Sequence, residues 1–195
     1  MTGALAVAFA IILASLCASV SPELSSFFIF DRNALMKGEI WRMFTCHFVH
    51  FSMPHLFYNL SVFGMAVYMA GQKQYPGFGR LCLWLALAIS MALLIFKPNM
   101  SRYGGLSGIA CGALYYCALM GLKEPRPWKA ICALILFFLP IKIAVEIISH
   151  ASVLPYGSPQ SFIPMQTSHV VGVLGASLFY LIENHFGRQT HPPLQ

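Results

Sequence analysis

Long apolar stretches separated by short polar breaks dominate this chain. Six stretches approach the roughly 20 apolar residues that a helix needs to cross a bilayer, and they cover residues 3–20, 54–71, 81–96, 106–122, 128–148 and 168–184. Proline, glycine and charged residues fill the segments between them, as expected where helices end. The pattern predicts an all-α polytopic membrane protein with six transmembrane helices and a short C-terminal tail at 187–195.

The composition favours a bilayer environment. Of the 195 residues, 58% are hydrophobic and 9% are charged, whereas soluble proteins carry about 25% charged residues. The net charge of +6 does not indicate nucleic-acid binding, because Lys and Arg are scattered singly between apolar stretches. The six cysteines lie mostly inside apolar stretches without a CxxC pair, which favours free thiols over disulfides.

The basic residues give a weak indication of orientation. The loop 123–129 holds three of them, whereas the loop 149–167 holds none, so we expect the loop 123–129 and both termini to lie in the cytoplasm. The apolar segment 2–20 has no Lys or Arg before it. This favours a retained first span over a cleaved signal peptide.

Three polar sites lie within the predicted spans, where polar side chains are costly and usually functional. His55 and Asn59 lie in the second span, Ser107 opens the fourth, and His169 opens the sixth. Because successive spans alternate in direction, the even-numbered spans all begin at the same membrane face. His55, Ser107 and His169 should therefore lie at one depth, on one side of the bilayer.

Small residues follow Ser107 and His169 at helical spacing. They are Gly108 and Gly112 in the fourth span, and Gly172 and Ala176 in the sixth. Such residues let two helix backbones approach closely, which would bring Ser107 toward His169. The alternative is ordinary packing of small residues, with Ser107 serving only as a helix cap.

Ser107 and His169 have complementary chemistry. A serine hydroxyl becomes nucleophilic when an adjacent base accepts its proton, and histidine suits that task near neutral pH. Backbone N–H groups at the start of the fourth span can stabilise an oxyanion, and His55 and Asn59 add further donors. No Asp is positioned to orient His169, so the residues predict a Ser–His dyad rather than a triad.

Lys142 and Glu146 form the other polar pair in the predicted spans. Their i,i+4 spacing in the fifth span predicts a neutralising ion pair on one helix face. A proton relay is the alternative, and the sequence disfavours it because no further acid or His continues the chain.

Three motifs resemble those of rhomboid intramembrane serine proteases. The segment 41–59, with the pattern W-R-x-F-T-x4-H-F-S-x2-H-x3-N, resembles the rhomboid first loop and second span. G-x-S-G at 105–108 resembles the nucleophile motif, and H-x2-G at 169–172 resembles the catalytic-histidine motif. The motifs occur in the family's order, and the resemblance covers residues 1–186.

The resemblance implies a single rhomboid-like membrane domain over residues 1–195, with no cofactor and no metal. It implies that Ser107 is the nucleophile, that His169 is the base, and that His55, Asn59 and the Ser107 N–H bind the oxyanion. It implies supporting roles for Trp41 and Arg42 in a first loop lying partly in the outer leaflet, for His50 as a hydrogen-bonding residue, and for Gly105, Gly108 and Gly172. The loop near 150–167 would cap the site and move to admit substrate or water.

The chain departs from the rhomboid pattern at two positions. Cys111 stands where many rhomboids have a tyrosine stacked on the catalytic histidine, and Ala176 replaces a second glycine. The compact chain and Cys111 resemble the rhombosortase subgroup, which is thought to process exported proteins that end in Gly-Gly, a hydrophobic helix and a basic tail. The resemblance implies a membrane-anchored substrate and a multi-pass protein of the bacterial inner membrane, with its site toward the periplasmic face. It does not determine the oligomeric state.

Three other functions remain alternatives. A catalytically inactive rhomboid-like protein would bind membrane helices, although such proteins typically lack the Ser or the His. A metal or haem protein would use His47, His50 and His55, which are not accompanied by an HExxH pattern or a carboxylate neighbour. A transporter would use the Lys142 and Glu146 pair, although we find no broken-helix repeat.

Overall fold

The computed structural model describes residues 2–153 and 165–190, with side chains described for 6–153 and 165–185. In those ranges the chain forms, in order, α1 (Thr2–Val20), α2 (Pro22–Phe28), β1 (Phe30–Asp31), α3 (Arg32–Met36), α4 (Arg42–Thr45), a 3-10 turn (Cys46–Phe48), α5 (Met53–Lys73), α6 (Phe78–Phe96), β2 (Arg102–Tyr103), α7 (Ser107–Gly121), α8 (Trp128–Ser149) and α9 (Gln166–Thr190). The described chain is almost entirely helical, as the apolar pattern predicts. Strands β1 and β2 form one short antiparallel pair.

The six longest helices occupy the six predicted spans, and within the residues whose side chains are described two of them meet the length and hydropathy of a membrane-crossing helix. Those two are α6 and α8. Helix α7 and the described part of α1 are apolar but shorter, and α5 and α9 carry polar side chains among their apolar ones. The count of six membrane spans therefore stays a prediction.

Helix α9 runs further than the sequence predicts. It continues to Thr190, past the expected end at 184 and into the predicted tail. Two polar contacts hold its C-terminal half, an ion pair of 3.0 Å between Glu183 and Arg80 and a hydrogen bond of 2.6 Å from Lys123 to Asn184. The predicted capping loop falls mostly within residues 154–164, which lie outside the described residues, as do residues 191–195.

Helix α7 is the centre of the fold, and it packs most extensively on α9. Most of its side chains are buried and small. A Cβ atom built on Gly112 would lie 2.6 Å from the carbonyl oxygen of Gly172, and one built on Gly172 would collide with the carbonyl oxygen of Gly108. Only glycine therefore allows this approach of the two backbones, which is the approach that the small-residue spacing predicts.

The first loop, between α1 and α5, is held by Trp41 and Arg42. The guanidinium of Arg42 donates to the carbonyl oxygens of Ser26 and Ile29, both at 2.8 Å, and pairs with Glu39 at 2.7 Å. The indole of Trp41 stacks on Phe27 with 5.2 Å between ring centroids. These contacts bind α4 to α2 and to the start of β1. They lie within the first loop, and neither side chain lines the cavity described below.

Candidate active site

Helix α5 brings His55 and Asn59 to the interior. Its first turn is capped by Ser52, whose Oγ accepts the His55 N–H at 3.3 Å, and Pro54 suits the first turn because it needs no hydrogen-bond acceptor there. The i,i+4 spacing places both side chains on one face. His55 is 1% exposed and Asn59 is 4% exposed, so this face is directed into the protein.

The turn before α7 sets the position of Ser107. Gly105 has a φ of +139°, a backbone angle that residues other than glycine rarely adopt. A Cβ there would also lie 3.0 Å from the His55 ring. The Gly105 N–H donates to the carbonyl oxygen of Cys46 at 3.1 Å, and the Tyr103 hydroxyl donates to the Gly105 carbonyl oxygen at 3.1 Å. The turn is therefore fixed to the first loop, with His55 beside it.

Ser107 is the first residue of α7. The first N–H groups of a helix lack acceptors within that helix and carry its positive dipole end. A negatively charged oxygen bound next to Ser107 would meet those donors. The sequence predicts an oxyanion site at these same backbone N–H groups.

His169 lies in the first turn of α9, and the residue is 1% exposed. Its Nδ1 is 3.1 Å from Oε2 of Glu146 on α8. A carboxylate only accepts hydrogen bonds, so Nδ1 carries the proton and donates it. The other ring nitrogen, Nε2, is then the basic one.

Ser107, His169 and Asn59 line one cavity of about 160 Å³. Its other polar or ionisable lining residues are Tyr58, Cys111 and Lys142. Apolar side chains from α5, α7 and α8 complete the wall. The structure thus brings together the side chains that the sequence places at the starts of even-numbered spans. His55 lies next to Gly105, on the side of the Ser107 turn.

Glu146 is the residue that sequence analysis missed. The predicted ion pair with Lys142 is present at 2.7 Å. The sequence analysis found no Asp placed to orient His169, and it did not foresee that the same Glu146 carboxylate oxygen also contacts the His169 ring. The sequence does contain a signal for it. Helix α8 is the fifth predicted span and runs in the opposite direction to α7 and α9, which are the fourth and sixth. A residue in the last turn of α8 therefore reaches the depth at which α7 and α9 begin.

The first loop contains two further histidines. His47 contacts α6, and His50 packs against His55. Nε2 of His47 is 3.0 Å from the carbonyl oxygen of Ala86 and 3.2 Å from the Ser90 hydroxyl on α6. The His50 ring packs edge-on against His55 at 5.0 Å, and its Nδ1 is 3.1 Å from the Phe48 carbonyl oxygen. Burial lowers the pKa of His47 to about 4 and that of His50 to about 4, so both rings are neutral near pH 7.

The fold and the cavity define a helical protein in which a buried histidine, hydrogen-bonded to a buried carboxylate, lines one cavity with a serine at a helix start. A family model described as the Rhomboid domain matches residues 37–185, and the chain belongs to the rhomboid family, whose members are polytopic membrane proteins. The matched region contains Ser107, His169, His55, Asn59 and Glu146.

Curated relatives carry the same family name. They include the Rhomboid protease GlpG of Salmonella newport (strain SL254) and that of Salmonella heidelberg (strain SL476), each 31% identical over 96 residues. That match covers 48% of this chain and 34% of each relative. The chain therefore spans about a third of the length of the curated relatives it matches.

Proposed function

We propose that this protein is an intramembrane serine endopeptidase with Ser107 as nucleophile and His169 as general base. The observation that carries the proposal is that both side chains line one cavity of about 160 Å³, with the buried Asn59. Membership of the rhomboid family and the naming of its curated relatives as rhomboid proteases support the same chemistry.

The geometry supports a two-step acyl transfer. The Ser107 Oγ attacks the scissile carbonyl carbon while Nε2 of His169 accepts its proton. The oxyanion receives hydrogen bonds from N–H groups of the first turn of α7 and from Asn59, whose Nδ2 is buried and has no hydrogen-bond partner among the described residues. His169 then passes the proton to the leaving amine. Water activated by the same ring hydrolyses the acyl-enzyme.

The membrane arrangement belongs to the same proposal. Six spans would cross a bacterial inner membrane, with residues 123–129 in the cytoplasm and the cavity toward the periplasmic face. The starts of α7 and α9 and the end of α8 all reach the cavity, which supports one common depth. The substrate would be a membrane-anchored protein, cut near the outer face after its helix unwinds locally.

The identity of residue 111 supports a finer proposal about the substrate. Cys111 stands where many rhomboids have a tyrosine, as in the rhombosortase subgroup. The substrate would then be of the rhombosortase type, with Gly-Gly before a hydrophobic helix and a basic tail. We expect a reporter with Gly-Gly at that position to be cut faster than a matched one with Leu-Leu. Equal rates would remove the rhombosortase assignment and leave the protease assignment intact.

The proposal is tested by Ser107→Ala with a membrane-anchored reporter in proteoliposomes. We expect cleavage to stop while the protein still inserts and folds. The matched control is Ser177→Ala, because Ser177 lies on α9 and hydrogen-bonds its own helix at Val173. A fluorophosphonate probe should label the wild type at Ser107. Cleavage by the Ser107→Ala variant, or a wild type that neither cleaves nor is labelled, would overturn the proposal and favour an inactive helix-binding protein.

A further inference from the structure

Glu146 makes more contacts than an ion pair requires. It lies in the last turn of α8 and its side chain is fully buried. Its Oε2 is 2.7 Å from Lys142 Nζ and 3.1 Å from His169 Nδ1, while its Oε1 accepts the Val153 N–H at 3.2 Å. The single carboxylate therefore joins α8, α9 and the segment that follows α8.

We propose that Glu146 is a positioning residue that orients and electrostatically supports His169, so that the site is a Ser107–His169–Glu146 triad with Lys142 as counter-ion. This inference rests on the proposed protease function and deepens it. It assigns to a carboxylate on α8 the support that Cys111, which replaces an aromatic residue, cannot supply by ring stacking.

The contact with Glu146 fixes the tautomer of His169. An imidazole that donates from Nδ1 to a carboxylate keeps its lone pair on Nε2, which is the nitrogen needed to accept the Ser107 proton. Without that acceptor the ring is free to adopt the other tautomer or to rotate. Glu146 therefore selects the reactive form before substrate binds.

Glu146 also supplies the negative charge that stabilises a protonated His169 ring. When His169, which is 1% exposed, accepts the serine proton, it becomes a buried cation. A buried cation is stabilised by an adjacent carboxylate far more than by water at a distance. The ionisable groups that face the ring or line the cavity with it are Glu146 and Lys142 from α8, Cys111 from α7, and His55 and Tyr58 from α5. Glu146 is the only anion among these described groups.

The competing interpretation is structural. Glu146 would then serve only to neutralise Lys142, whose side chain is 25% exposed, and to hold Val153. An i,i+4 pair on one helix achieves that neutralisation without any contact to α9. The contact with His169 is therefore the feature that the structural interpretation does not require.

A double variant separates the two interpretations. In Glu146→Gln, we expect kcat to fall roughly 10⁴-fold with little change in KM, as when the orienting carboxylate is removed from other serine hydrolases. The double variant Lys142→Met with Glu146→Gln carries no charge to neutralise. We expect its thermal stability to return toward that of the wild type while kcat stays low. Glu146→Asp should recover part of kcat, because a charge remains near Nδ1.

The pH dependence of kcat/KM should change if Glu146 supports His169, and it should not change if Glu146 is only structural. In Glu146→Gln, the acid limb of the kcat/KM pH profile should shift to lower pH, because the protonated His169 ring loses its carboxylate partner. The matched control is Glu183→Gln, which removes another ion-paired carboxylate, on α9, outside the cavity. Its kcat and its acid limb should match the wild type.

The outcomes separate this inference from the function on which it rests. If the wild type cleaves the reporter through Ser107 but Glu146→Gln keeps its kcat and acid limb, the triad is overturned and the protease stands. If the double variant regains wild-type kcat, Glu146 is only the partner of Lys142. If the wild type shows neither cleavage nor labelling of Ser107, both proposals fail together.

Discussion

The candidate site is bounded by two helix contacts that are built in opposite ways. Helices α7 and α9 meet through their backbones, with Gly108, Gly112 and Gly172 at the crossing. Helix α8 is mostly exposed along its length and packs far less on α9. It nevertheless delivers Glu146 to His169. One wall of the site is therefore defined by close packing, and the other by polar contacts that Glu146 makes with α9.

The difference has a physical reason. Between membrane helices there is no hydrophobic driving force, so association depends on close van der Waals packing or on polar contacts. The α7–α9 crossing depends on close van der Waals packing and leaves no room for an added side chain. The α8–α9 contact depends on polar groups, so changes at the two contacts should have different consequences. Packing changes should affect stability first, and polar changes should affect the rate first.

The largest effect is expected at the glycine crossing. A Cβ on Gly172 would collide with the Gly108 carbonyl oxygen, which is backbone and cannot rotate away. Gly172→Ala should therefore abolish cleavage and lower the free energy of unfolding by roughly 1–3 kcal/mol or more. Steric-trap or thermal unfolding in detergent measures the stability change.

Gly64→Ala is the control for that variant. Gly64 lies in α5 with no atom within 4 Å of a built Cβ, so alanine there should be neutral or stabilise the helix by up to about 1 kcal/mol. If both variants behaved alike, the close backbone approach would not be what holds Ser107 near His169.

A smaller effect, on the rate alone, is expected for Asn59→Ala. Losing one oxyanion donor costs about 10²- to 10³-fold in kcat in other serine hydrolases, and we expect a loss of roughly 10²-fold with KM nearly unchanged. Asn184→Ala is the control, because Asn184 lies on α9 and hydrogen-bonds Lys123 and Tyr180 away from the cavity. Unchanged kcat in Asn59→Ala would exclude Asn59 from the oxyanion site.

The smallest effect concerns the first loop that supports the Ser107 turn. Burial lowers the pKa of His47 to about 4, below the value of about 6.5 expected in the unfolded chain. The unfolded state therefore binds a proton first, and stability falls as pH drops from 6.5 toward 4. For this one group the loss between pH 7 and pH 5.5 is about 1 kcal/mol.

His47→Gln should remove that part of the pH dependence of thermal stability. His150→Gln is the control, since His150 is exposed. His50 has a similarly lowered pKa, so a smaller slope should remain in the variant. An unchanged slope would mean that His47 is not buried in its neutral form.

The main helices and two of the site residues can be predicted from the sequence because their signals are local. Apolar runs bounded by proline and glycine place the six longest helices within a few residues of their observed positions. Helix α9 is the exception at its C-terminus, since the contacts of Glu183 and Asn184 come from distant parts of the chain. Alternation of direction along the chain then predicts that Ser107 and His169 lie near each other, and both line the same cavity.

The carboxylate partner of His169 could not be predicted in the same way. Lys142 at i−4 offers Glu146 a complete local explanation, so the sequence leaves no charge unaccounted for. The packing of α7 against α9 and the position of the last turn of α8 decide that Glu146 also reaches the His169 ring. The sequence by itself determined where the helices run and which polar residues open them, because helical periodicity and apolar length act over a few turns. Only the tertiary structure decided that a residue closing a helix of the opposite direction completes the site, because that contact depends on how three helices pack and not on spacing along any one of them.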